Sequence, residues 1–400
     1  MHIILLNDDS LPKSQGGAAV VVDKLTRGYT KKGHKVTLVT THQDPSLGPI
    51  VREDGVVSLL SIYPLKRRHR HCLGCLKMTA ALTELFEELK PDAVHAHNIH
   101  SHLTYESLNI AKHHTDSVVL TAHDVFLFAF ARVSGPRFEK LALEGKPIRF
   151  FWWEHLLSVG RKYWPLRNAE IRKILKESGT KVVALNNAHK VLLEANGISV
   201  AAVVPNGTDV KPQVSAEETS AFREKHGLTG PTILFGGRLS EDKGSKVLLE
   251  AFALVRKKVP DVQLLIAGEH ERIADSLKGA EGLVTPGWLT PNDMRLAYSA
   301  CAVATTPSLC FDVFPTMNLE AMAAGKPVVA TCFGGSSEIV EDGETGFVVN
   351  PRDIDNLVQA LGTILKDEKK AKEMGDKGRE IIKESFSVEK QVEGYLGVLN

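Results

Sequence analysis

Two carboxylates eight positions apart, Asp312 and Glu320, frame a short Phe-Pro turn. Glu320 falls about one turn into the helix that is predicted to begin at this turn, and Asp312 lies on the loop before it. Both can face the carboxyl end of the preceding strand, where parallel α/β sheets bind their ligands. Carboxylate oxygens there can accept hydrogen bonds from sugar hydroxyls. Thr316, between them, has a side chain that suits the cap of the helix.

Two cationic side chains, Arg238 and Lys243, lie where a predicted strand is followed by a helix. Arginine can hold a phosphate as a planar fork and lysine as a point charge. Because cations at a helix N-terminus oppose the helix dipole, an anion such as a diphosphate is needed to offset the repulsion. The order Lys243, Gly244, Ser245 differs from a P-loop, in which glycine precedes lysine.

The glycine pair Gly16 and Gly17 opens the first predicted helix, after the first strand. Glycines at such a junction let the backbone approach a phosphate. A plain tight turn remains the alternative for this pair. The sequence lacks the three spaced glycines of the dinucleotide fingerprint, which argues against a hydride-transfer enzyme.

His123 follows a predicted strand and precedes Asp124. Taken alone, this position favours a hydrogen-bonded structural histidine, which Asp124 could orient. A dense group of histidines raises the question of zinc: His95, His97, His100 and His102. No cysteine or acidic ligand follows at a recognised spacing, so we expect no metal.

The elements that position these residues alternate between short β-branched apolar runs and longer amphipathic stretches, a pattern typical of βα units around parallel sheets. Helices are predicted at Ala18–Lys32 and Leu76–Leu89 from their 3.6-residue apolar spacing. The predicted strands of the first half are His2–Leu6, Lys35–Thr40, Ala93–Ala96, Val118–Thr121, Lys181–Leu185 and Ala201–Val204. Those of the second half are Thr232–Phe235, Gln263–Ala267, Leu283–Thr285, Ala302–Thr305, Pro327–Ala330 and Phe347–Val349.

The charge distribution also divides the chain in two. The 400 residues have a formal net charge of +1, yet residues 1–200 hold 27 basic and 19 acidic side chains while residues 201–400 hold 22 and 29. A turn cluster, Pro205–Asp209, separates the halves. The sequence therefore predicts two doubly wound α/β domains, the first of them suited to anionic ligands or surfaces.

Composition excludes several classes. At 43% hydrophobic and 24% charged residues the chain is an ordinary globular protein. No apolar run reaches the roughly 18 residues of a membrane-spanning helix. Ile3–Leu6 is followed at once by Asn7, Asp8 and Asp9, which predicts a buried strand and not a signal-peptide core. Five cysteines are too few for a disulfide scaffold, so we expect a cytoplasmic protein.

Taken together, the motifs resemble those of family 4 retaining glycosyltransferases of the GT-B fold. The resemblance runs over almost the whole chain and rests on five motifs: the glycine pair, Thr121–Asp124, Pro205–Gly207, Gly237 and Arg238 with Lys243, and the acidic pair. It implies two Rossmann-like doubly wound domains facing across a cleft. Residues 1–208 would form the acceptor domain, 209–385 the nucleotide-sugar donor domain, and 386–400 a C-terminal helix that packs back on the first domain.

The resemblance also implies an activity and a site. The activity is transfer of a sugar, with retention of anomeric configuration, from a nucleotide diphosphate sugar to a glycan, lipid-linked or small-molecule acceptor. It would serve surface polysaccharide or glycoconjugate synthesis and need no metal or other cofactor. Arg238 and Lys243 would hold the diphosphate. Glu320 would bind the ribose. His123 would line the catalytic centre near the donor sugar, and Asp124 and His97 would contact the acceptor. The implied catalytic residues are His123, Asp312, Arg238 and Lys243, and the implied donor-binding residues are Gly16, Gly17, Arg238, Lys243, Asp312, Phe314, Thr316, Met317 and Glu320.

One departure bears on specificity. The family's acidic motif usually begins with Glu, whereas this chain has Asp312, one methylene shorter. The reach to the sugar hydroxyls differs, so the identity of the donor sugar does not carry over. Two alternatives stay open: a nucleotide-sugar epimerase or hydrolase on the same fold, and a non-catalytic nucleotide-sugar-binding protein.

A basic run, residues 66–71, and two aromatic groups do not fit the donor site. The aromatic groups are Phe126, Phe128 and Phe130, and Phe150, Phe151, Trp152 and Trp153. Basic residues beside aromatic ones suit peripheral contact with an anionic membrane or a lipid-linked acceptor. A solvated loop with a buried aromatic cluster is the alternative. No nucleic-acid-binding module surrounds the run, so nucleic acid is not an expected partner.

Overall fold

The computed structural model describes residues 1–12, 16–268 and 280–400. They form two compact units. The first comprises Met1–Val133, Lys146–Asn206 and Val388–Asn400, and the second comprises Ser134–Gly145 and Gly207–Ser387. The ranges predicted from sequence do not anticipate the short segment Ser134–Gly145, which lies inside residues 1–208 and belongs to the second unit.

The first unit is built on an eight-stranded sheet in the order β3-β4-β2-β1-β5-β6-β7-β8. Its strands are β1 (His2–Leu6), β2 (Lys35–His42), β3 (Ile50–Glu53), β4 (Val56–Leu60), β5 (Ala93–Ala96), β6 (Val118–Thr121), β7 (Lys181–Ala184) and β8 (Ala202–Val203). All neighbouring strands are parallel except β3 and β4.

The antiparallel hairpin of β3 and β4 was not predicted. Its turn residues Asp54 and Gly55 both have positive φ, 37° and 79°. An Asp-Gly pair between two β-branched runs is a strong hairpin signal. The hairpin lies at the edge of the sheet, where β3 is largely exposed.

Helices cover the first sheet. They are α1 (Gly17–Lys31), α2 (Arg68–His71), α3 (Leu76–Leu89), α4 (Glu106–Lys112), α6 (Trp152–Val159), α7 (Arg167–Glu177), α8 (Asn187–Ala195) and α15 (Val388–Leu399). The last helix, α15, contacts α1. Val392 and Tyr395 of α15 share a buried cluster with Ile3, Leu5 and Leu25. The C-terminal helix is therefore part of the core of the first unit.

The second unit has a six-stranded, fully parallel sheet in the order β11-β10-β9-β12-β13-β14. Its strands are β9 (Thr232–Gly236), β10 (Gln263–Ala267), β11 (Leu283–Gly287), β12 (Val303–Thr306), β13 (Val328–Thr331) and β14 (Gly346–Val349). Its helices are α5 (Pro136–Leu143), α9 (Ala216–Lys225), α10 (Ser245–Arg256), α11 (Pro291–Ala300), α12 (Thr316–Ala323), α13 (Ile354–Lys366) and α14 (Glu368–Ser385). No described helix of either unit has the length and hydrophobicity to cross a membrane.

Candidate functional site

In the second unit, the candidate residues lie on loops that follow β9 and β12, two adjacent parallel strands. The backbone turns sharply after β9, where Gly237 has φ 114° and its N–H donates to the carbonyl of Ala267 at 2.7 Å. A Cβ on Gly268 would lie 2.0 Å from the Gly237 carbonyl oxygen. Glycine is required at Gly268 because the two loops touch backbone to backbone.

The loop that carries Lys243 packs closely against the loop after β12. Lys243 ends a 3₁₀ turn, and Gly244 continues it in the left-handed conformation with φ 78°. A Cβ on Gly244 would lie 1.9 Å from the carbonyl oxygen of Pro307. The N–H of Leu309 donates to the carbonyl of Asp242 at 2.9 Å. These contacts hold the backbone at Lys243 against the loop after β12.

Lys243 forms an ion pair with Asp312. Its Nζ lies 2.5 Å from Oδ2 of Asp312, and the hydroxyl of Ser308 donates to the same oxygen at 3.0 Å. The two charged side chains are 28% and 15% exposed. The structure thus joins two of the predicted site residues and adds Ser308, which the sequence prediction missed.

The main chain of Asp312 is held from the other side by the loop after β13. The N–H of Gly335 donates to the Asp312 carbonyl at 2.9 Å. Gly334 has φ 92°, and a Cβ there would lie 2.1 Å from that carbonyl oxygen. Three loops at the carboxyl edge of the sheet therefore determine where this carboxylate lies.

Helix α12 begins one residue earlier than a Thr316 cap would require. The N-cap position is occupied by Pro315 and Thr316 is the first helical residue, so the prediction that Thr316 caps the helix is wrong. The extended backbone that proline favours starts the helix here. The helix is held by buried Asn318, which accepts from Thr306 at 2.9 Å and donates to Ser336 at 3.3 Å.

The other predicted donor-site residues on or near α12 differ in exposure. Met317 contacts the end of β9, since the N–H of Gly236 lies 3.1 Å from its Sδ. The ring of Phe314 is buried, 5.9 Å from the ring of Phe386. Glu320 is partly exposed, about one turn into α12 as predicted, and accepts a 3.0 Å hydrogen bond from Tyr298.

Arg238 is exposed at the same edge of the sheet, and its side chain makes no hydrogen bond or ion pair with another described residue. Arg238, Lys243 and the first N–H groups of α12 all provide positive charge at this edge of the sheet. An arrangement of this kind can bind a diphosphate while the carboxylate of Asp312 accepts from hydroxyl groups.

In the first unit, the candidate residues lie around the loop after β5. Asp8 is 3% exposed and its carboxylate accepts from the N–H groups of Ser101, His102 and Leu103 at 2.7 to 2.9 Å. Burial raises the pKa of Asp8 to about 7, although these three hydrogen bonds lower it. Asp8 was not among the predicted site residues. Its position directly after a buried strand could have suggested it, because ligands bind at the carboxyl ends of parallel strands.

His123 and His97 are hydrogen-bonded, with His123 Nε2 2.9 Å from His97 Nδ1. Burial lowers the pKa of His123 to about 4, and that of His97 well below its usual value. His95 packs against His97 with ring centres 4.1 Å apart and hydrogen-bonds to Tyr29 and Thr121. These imidazoles are neutral at pH 7, so they act through hydrogen bonds and not through charge.

Asp124 and the glycine pair occupy the neighbouring loops of the first unit. The Asp124 carboxylate accepts from the N–H of Phe126 at 2.8 Å and lies 3.7 Å from His100 Nε2. Gly17 is the first residue of α1, and Gly16 caps it with φ −67° and ψ 150°, a conformation open to any residue. Both glycines are exposed. A ligand could therefore approach their backbone because glycine has no Cβ, and the ordinary φ and ψ of Gly16 do not require glycine at that position.

Within the described ranges no three His, Cys, Asp or Glu side chains are grouped as metal ligands would be. Several histidines of the dense cluster are engaged elsewhere in the first unit. His95 bonds to Tyr29 and Thr121, and His102 bonds to the hydroxyl of Ser61 at 3.0 Å.

Solved structures show which fold these two units represent. Sucrose-phosphate synthase from Thermosynechococcus elongatus superposes with a TM-score of 0.75 at 20% identity and covers 100% of this chain and 98% of that one. Anabaena HepE in complex with UDP-glucose gives a TM-score of 0.70 at 20% identity, with 99% of both chains covered. The predicted fold class, two Rossmann-like α/β domains of the GT-B type, is confirmed.

Sequence comparison identifies the family. The profile of Glycosyltransferase Family 4 matches residues 15–211, and that of Glycosyl transferases group 1 matches residues 216–381. The chain therefore belongs to glycosyltransferase family 4, as its motifs predicted.

The chain is also similar to individual family members. A GDP-mannose-dependent alpha-(1-6)-phosphatidylinositol monomannoside mannosyltransferase of Mycolicibacterium smegmatis is 30% identical over 56% of this chain and 63% of its own length. A phosphatidyl-myo-inositol mannosyltransferase of Mycobacterium tuberculosis is 33% identical over 46% and 49%. The chain thus spans about half to two thirds of these relatives. An uncharacterized glycosyltransferase of Methanocaldococcus jannaschii is 25% identical over 92% and 90%.

Proposed function

We propose that this protein transfers a sugar from a nucleotide diphosphate sugar to a glycan, lipid-linked or small-molecule acceptor, with retention of anomeric configuration. The observation that carries the proposal is the Lys243–Asp312 ion pair at the carboxyl edge of the second sheet, the edge that also carries exposed Arg238 and the N-terminus of α12. Family membership supports the activity, and the names of the mannosyltransferase relatives support a lipid-linked acceptor.

The cations serve the leaving group in this proposal. The bond between the anomeric carbon and the diphosphate oxygen breaks, and negative charge develops on that oxygen. Arg238 and Lys243 stabilise this charge by ion pairing and hydrogen bonding. The acceptor hydroxyl forms the new bond on the same face of the sugar, and its proton passes to the leaving diphosphate.

The engagement of Asp312 favours this course over a double displacement. A retaining glycosidase uses a carboxylate as nucleophile. Here one oxygen of Asp312 already accepts from both Lys243 and Ser308, which lowers its nucleophilicity. We assign Asp312 to binding of the donor sugar, and Glu320, oriented by Tyr298, to the ribose hydroxyls.

The first unit supplies the remaining proposed residues. We assign His123 a hydrogen-bonding role as a neutral imidazole, because its pKa is about 4. We further propose that Gly16 and Gly17 approach a phosphate through their backbone and that His97 and Asp124 contact the acceptor.

We also propose that the protein acts in the cytoplasm on precursors of surface polysaccharides or glycoconjugates.

The donor site is tested by substitution of Lys243. Lys243→Ala should weaken binding of UDP-glucose or GDP-mannose, whichever the unchanged protein binds, at least tenfold, because a charge-assisted hydrogen bond to phosphate is lost. The matched control is Lys246→Ala, which removes an exposed lysine that pairs with Glu241. Titration calorimetry measures both. Equal affinity of Lys243→Ala and the unchanged protein would refute the assignment.

The activity is tested by following the sugar. Incubation with donor and acceptor should release nucleoside diphosphate and yield a product whose anomeric signal in NMR matches that of the donor, with turnover unaffected by EDTA. Donor alone separates the alternatives, because an epimerase or hydrolase converts it without an acceptor. Binding without any conversion, over a panel of acceptors, would instead identify a nucleotide-sugar-binding protein.

A further inference from the structure

Helix α6 of the first unit has its large apolar side chains on the outside. Trp152 is 65% exposed and Leu157 is 78% exposed. Phe151, Trp153 and Leu156 are between 41% and 45% exposed. Only His155 of this helix is buried. A surface helix normally buries its apolar face and exposes its polar one, so the polarity of α6 is reversed.

The exposed face is not a loosened part of the core, because α6 is fixed from its inner side. His155 lies 5.2 Å from the ring of Phe130 and 5.8 Å from that of Phe150. Phe130 also contacts Tyr163, at 5.0 Å, just after the helix. An inner aromatic layer thus holds the helix while the indole and leucine side chains point outward.

Cationic side chains border this face. Arg161 and Lys162, in the 3₁₀ turn directly after α6, are exposed. Arg70 lies 4.9 Å from the ring of Trp164, two residues further on. Arg68 of the same basic run stacks 4.3 Å from Phe126. The basic run 66–71 therefore contacts the segment that follows α6.

The aromatic side chains of residues 126–130 and 150–153 differ in exposure. Phe128 and Phe130 are buried, which fits the alternative of a structural cluster. Phe151, Trp152 and Trp153 are exposed. Trp152, Trp153, Leu156 and Leu157 are named here the α6 apolar face.

We propose that the α6 apolar face inserts into the interfacial layer of an anionic phospholipid bilayer, with Arg161 and Lys162 against the lipid headgroups. Tryptophan favours the boundary between headgroups and acyl chains, where its ring is apolar and its N–H meets polar groups. A helix with aromatic and leucine residues on one side and cations at its border lies in the plane of such a surface.

Charge favours a bilayer over a second copy of this chain as the occupant. A twofold dimer through the α6 apolar face would bring the same bordering cations of both copies together. Like charges at an interface oppose association, whereas anionic headgroups attract every one of these side chains. The inference concerns binding to a surface and does not depend on sugar transfer.

Sedimentation with vesicles tests the proposal on the full chain. The unchanged protein should bind vesicles of phosphatidylcholine with one third phosphatidylglycerol at low salt, and bind pure phosphatidylcholine more weakly. The double substitution Trp152→Ser with Leu157→Ser should reduce binding on the order of tenfold or more, because two inserted side chains are lost. Val191→Ser with Leu47→Ser removes two apolar side chains, each 51% exposed, elsewhere in the first unit and should leave binding unchanged.

A second pair of variants separates the cations from total charge. Arg161→Ala with Lys162→Ala should weaken binding to the anionic vesicles several-fold, whereas Lys369→Ala with Lys370→Ala, which removes the same charge from the second unit, should not. Of the four tryptophans, Trp164 and Trp288 can be replaced by Phe. Emission from Trp152 and Trp153 should then shift to the blue with vesicles and be quenched by brominated lipid.

Three results would overturn the proposal. They are failure of the unchanged protein to bind anionic vesicles at low salt, unchanged binding of the Trp152 and Leu157 variant, and vesicle binding with no shift of the Trp152 and Trp153 emission. A dimer in analytical ultracentrifugation that the Trp152 and Leu157 substitutions dissociate, with vesicle binding intact, would assign the face to self-association instead.

Discussion

Asp312 and Lys243 determine each other's position at the carboxyl edge of the second sheet. An ammonium has three N–H donors, and the carboxylate of Asp312 takes one of them. The others remain available to phosphate oxygens. Ser308 restricts the carboxylate further by donating to the same oxygen. A site formed in this way presents charge in a fixed direction, which matters more for catalysis than the amount of charge.

Replacing Asp312 by Glu is expected to change the choice of donor sugar. The carboxylate would move by about one methylene, on the order of 1.5 Å, while its charge and its ability to pair with Lys243 persist. We expect kcat/KM to fall about tenfold for the natural donor, because displacement of this size removes hydrogen bonds to one hydroxyl. Steady-state kinetics over a panel of nucleotide sugars measures the effect.

The matched control for this prediction is Asp376→Glu on α14, where the carboxylate is exposed and pairs with Lys372. It should leave kinetics unchanged. Equal loss for every sugar in the Asp312→Glu panel would show that this carboxylate does not select the donor.

Asp8 holds the loop that carries His97 and His102. Replacing Asp8 by Ala leaves three N–H groups of residues 101–103 without their acceptor, which costs about 3 kcal/mol or more in the free energy of unfolding. Asp8→Asn keeps one acceptor oxygen and should cost less. Urea denaturation measures both variants. Equal stability of Asp8→Ala and the unchanged protein would show that another group holds this loop.

Among the elements, α15 is notable because the last residues of the chain complete the core of the first unit. It lies on α1, where Lys31 and Lys32 pair with Glu389 and Glu393 at 3.1 Å. These exposed pairs contribute little. The close approach of the helices depends instead on Gly28, because a Cβ there would lie 2.5 Å from Cγ2 of Val392.

Gly28→Leu is therefore expected to destabilise the first unit by at least about 2 kcal/mol, since the added side chain must displace α15. Gly397→Leu is the control, because that glycine of α15 has no atom within 4 Å of an added Cβ. Thermal denaturation of the two variants makes the comparison. If their midpoints were equal, the packing of α15 on α1 would have to tolerate the extra volume.

For the whole molecule, the near-neutral net charge conceals two unlike halves. Fourteen of the sixteen histidines lie in residues 1–200, and several are buried. Burial lowers the pKa of His69, His123 and His189 to about 4 and that of His95 to about 3. These histidines therefore bind protons near pH 6.5 in the unfolded chain, whereas in the folded protein they stay neutral until the pH is much lower.

Acidification from pH 7 to pH 5 is expected to lower the free energy of unfolding by at least about 2 kcal/mol. In this range the unfolded state binds more protons at these histidines than the folded state does. The free energy of unfolding therefore decreases as the pH is lowered. The raised pKa of Asp8 acts in the opposite direction, because the folded state takes up that proton first. The four histidines outweigh one carboxyl group.

Urea titrations at pH 7 and pH 5 measure the difference, and Asp8→Asn, which removes the opposing group, should enlarge it. An unchanged or higher urea midpoint at pH 5 would contradict the prediction.

The local pattern of the sequence determined most of the fold and supplied the candidate residues of the site. Short β-branched apolar runs predicted the strands of the parallel sheets, and 3.6-residue apolar spacing predicted the helices, since burial of apolar side chains follows from the local pattern. The types of Arg238, Lys243 and Asp312 indicated a site for a diphosphate and hydroxyl groups, because charge and reach belong to the side chain itself. The family resemblance added the expectation of a nucleotide sugar. The hairpin at Asp54 and Gly55 could also have been predicted from the local sequence, because an Asp-Gly pair is a hairpin signal.

Only the tertiary structure decided which groups meet. The partners of Lys243 and Asp8 lie 69 and about 95 residues away along the chain, and no spacing rule links them. Exposure of Trp152 and burial of His155 are likewise invisible in composition, because the sequence states only that both are present. Contacts between distant residues depend on the positions of whole strands and helices, and so these contacts emerge only when the chain is folded.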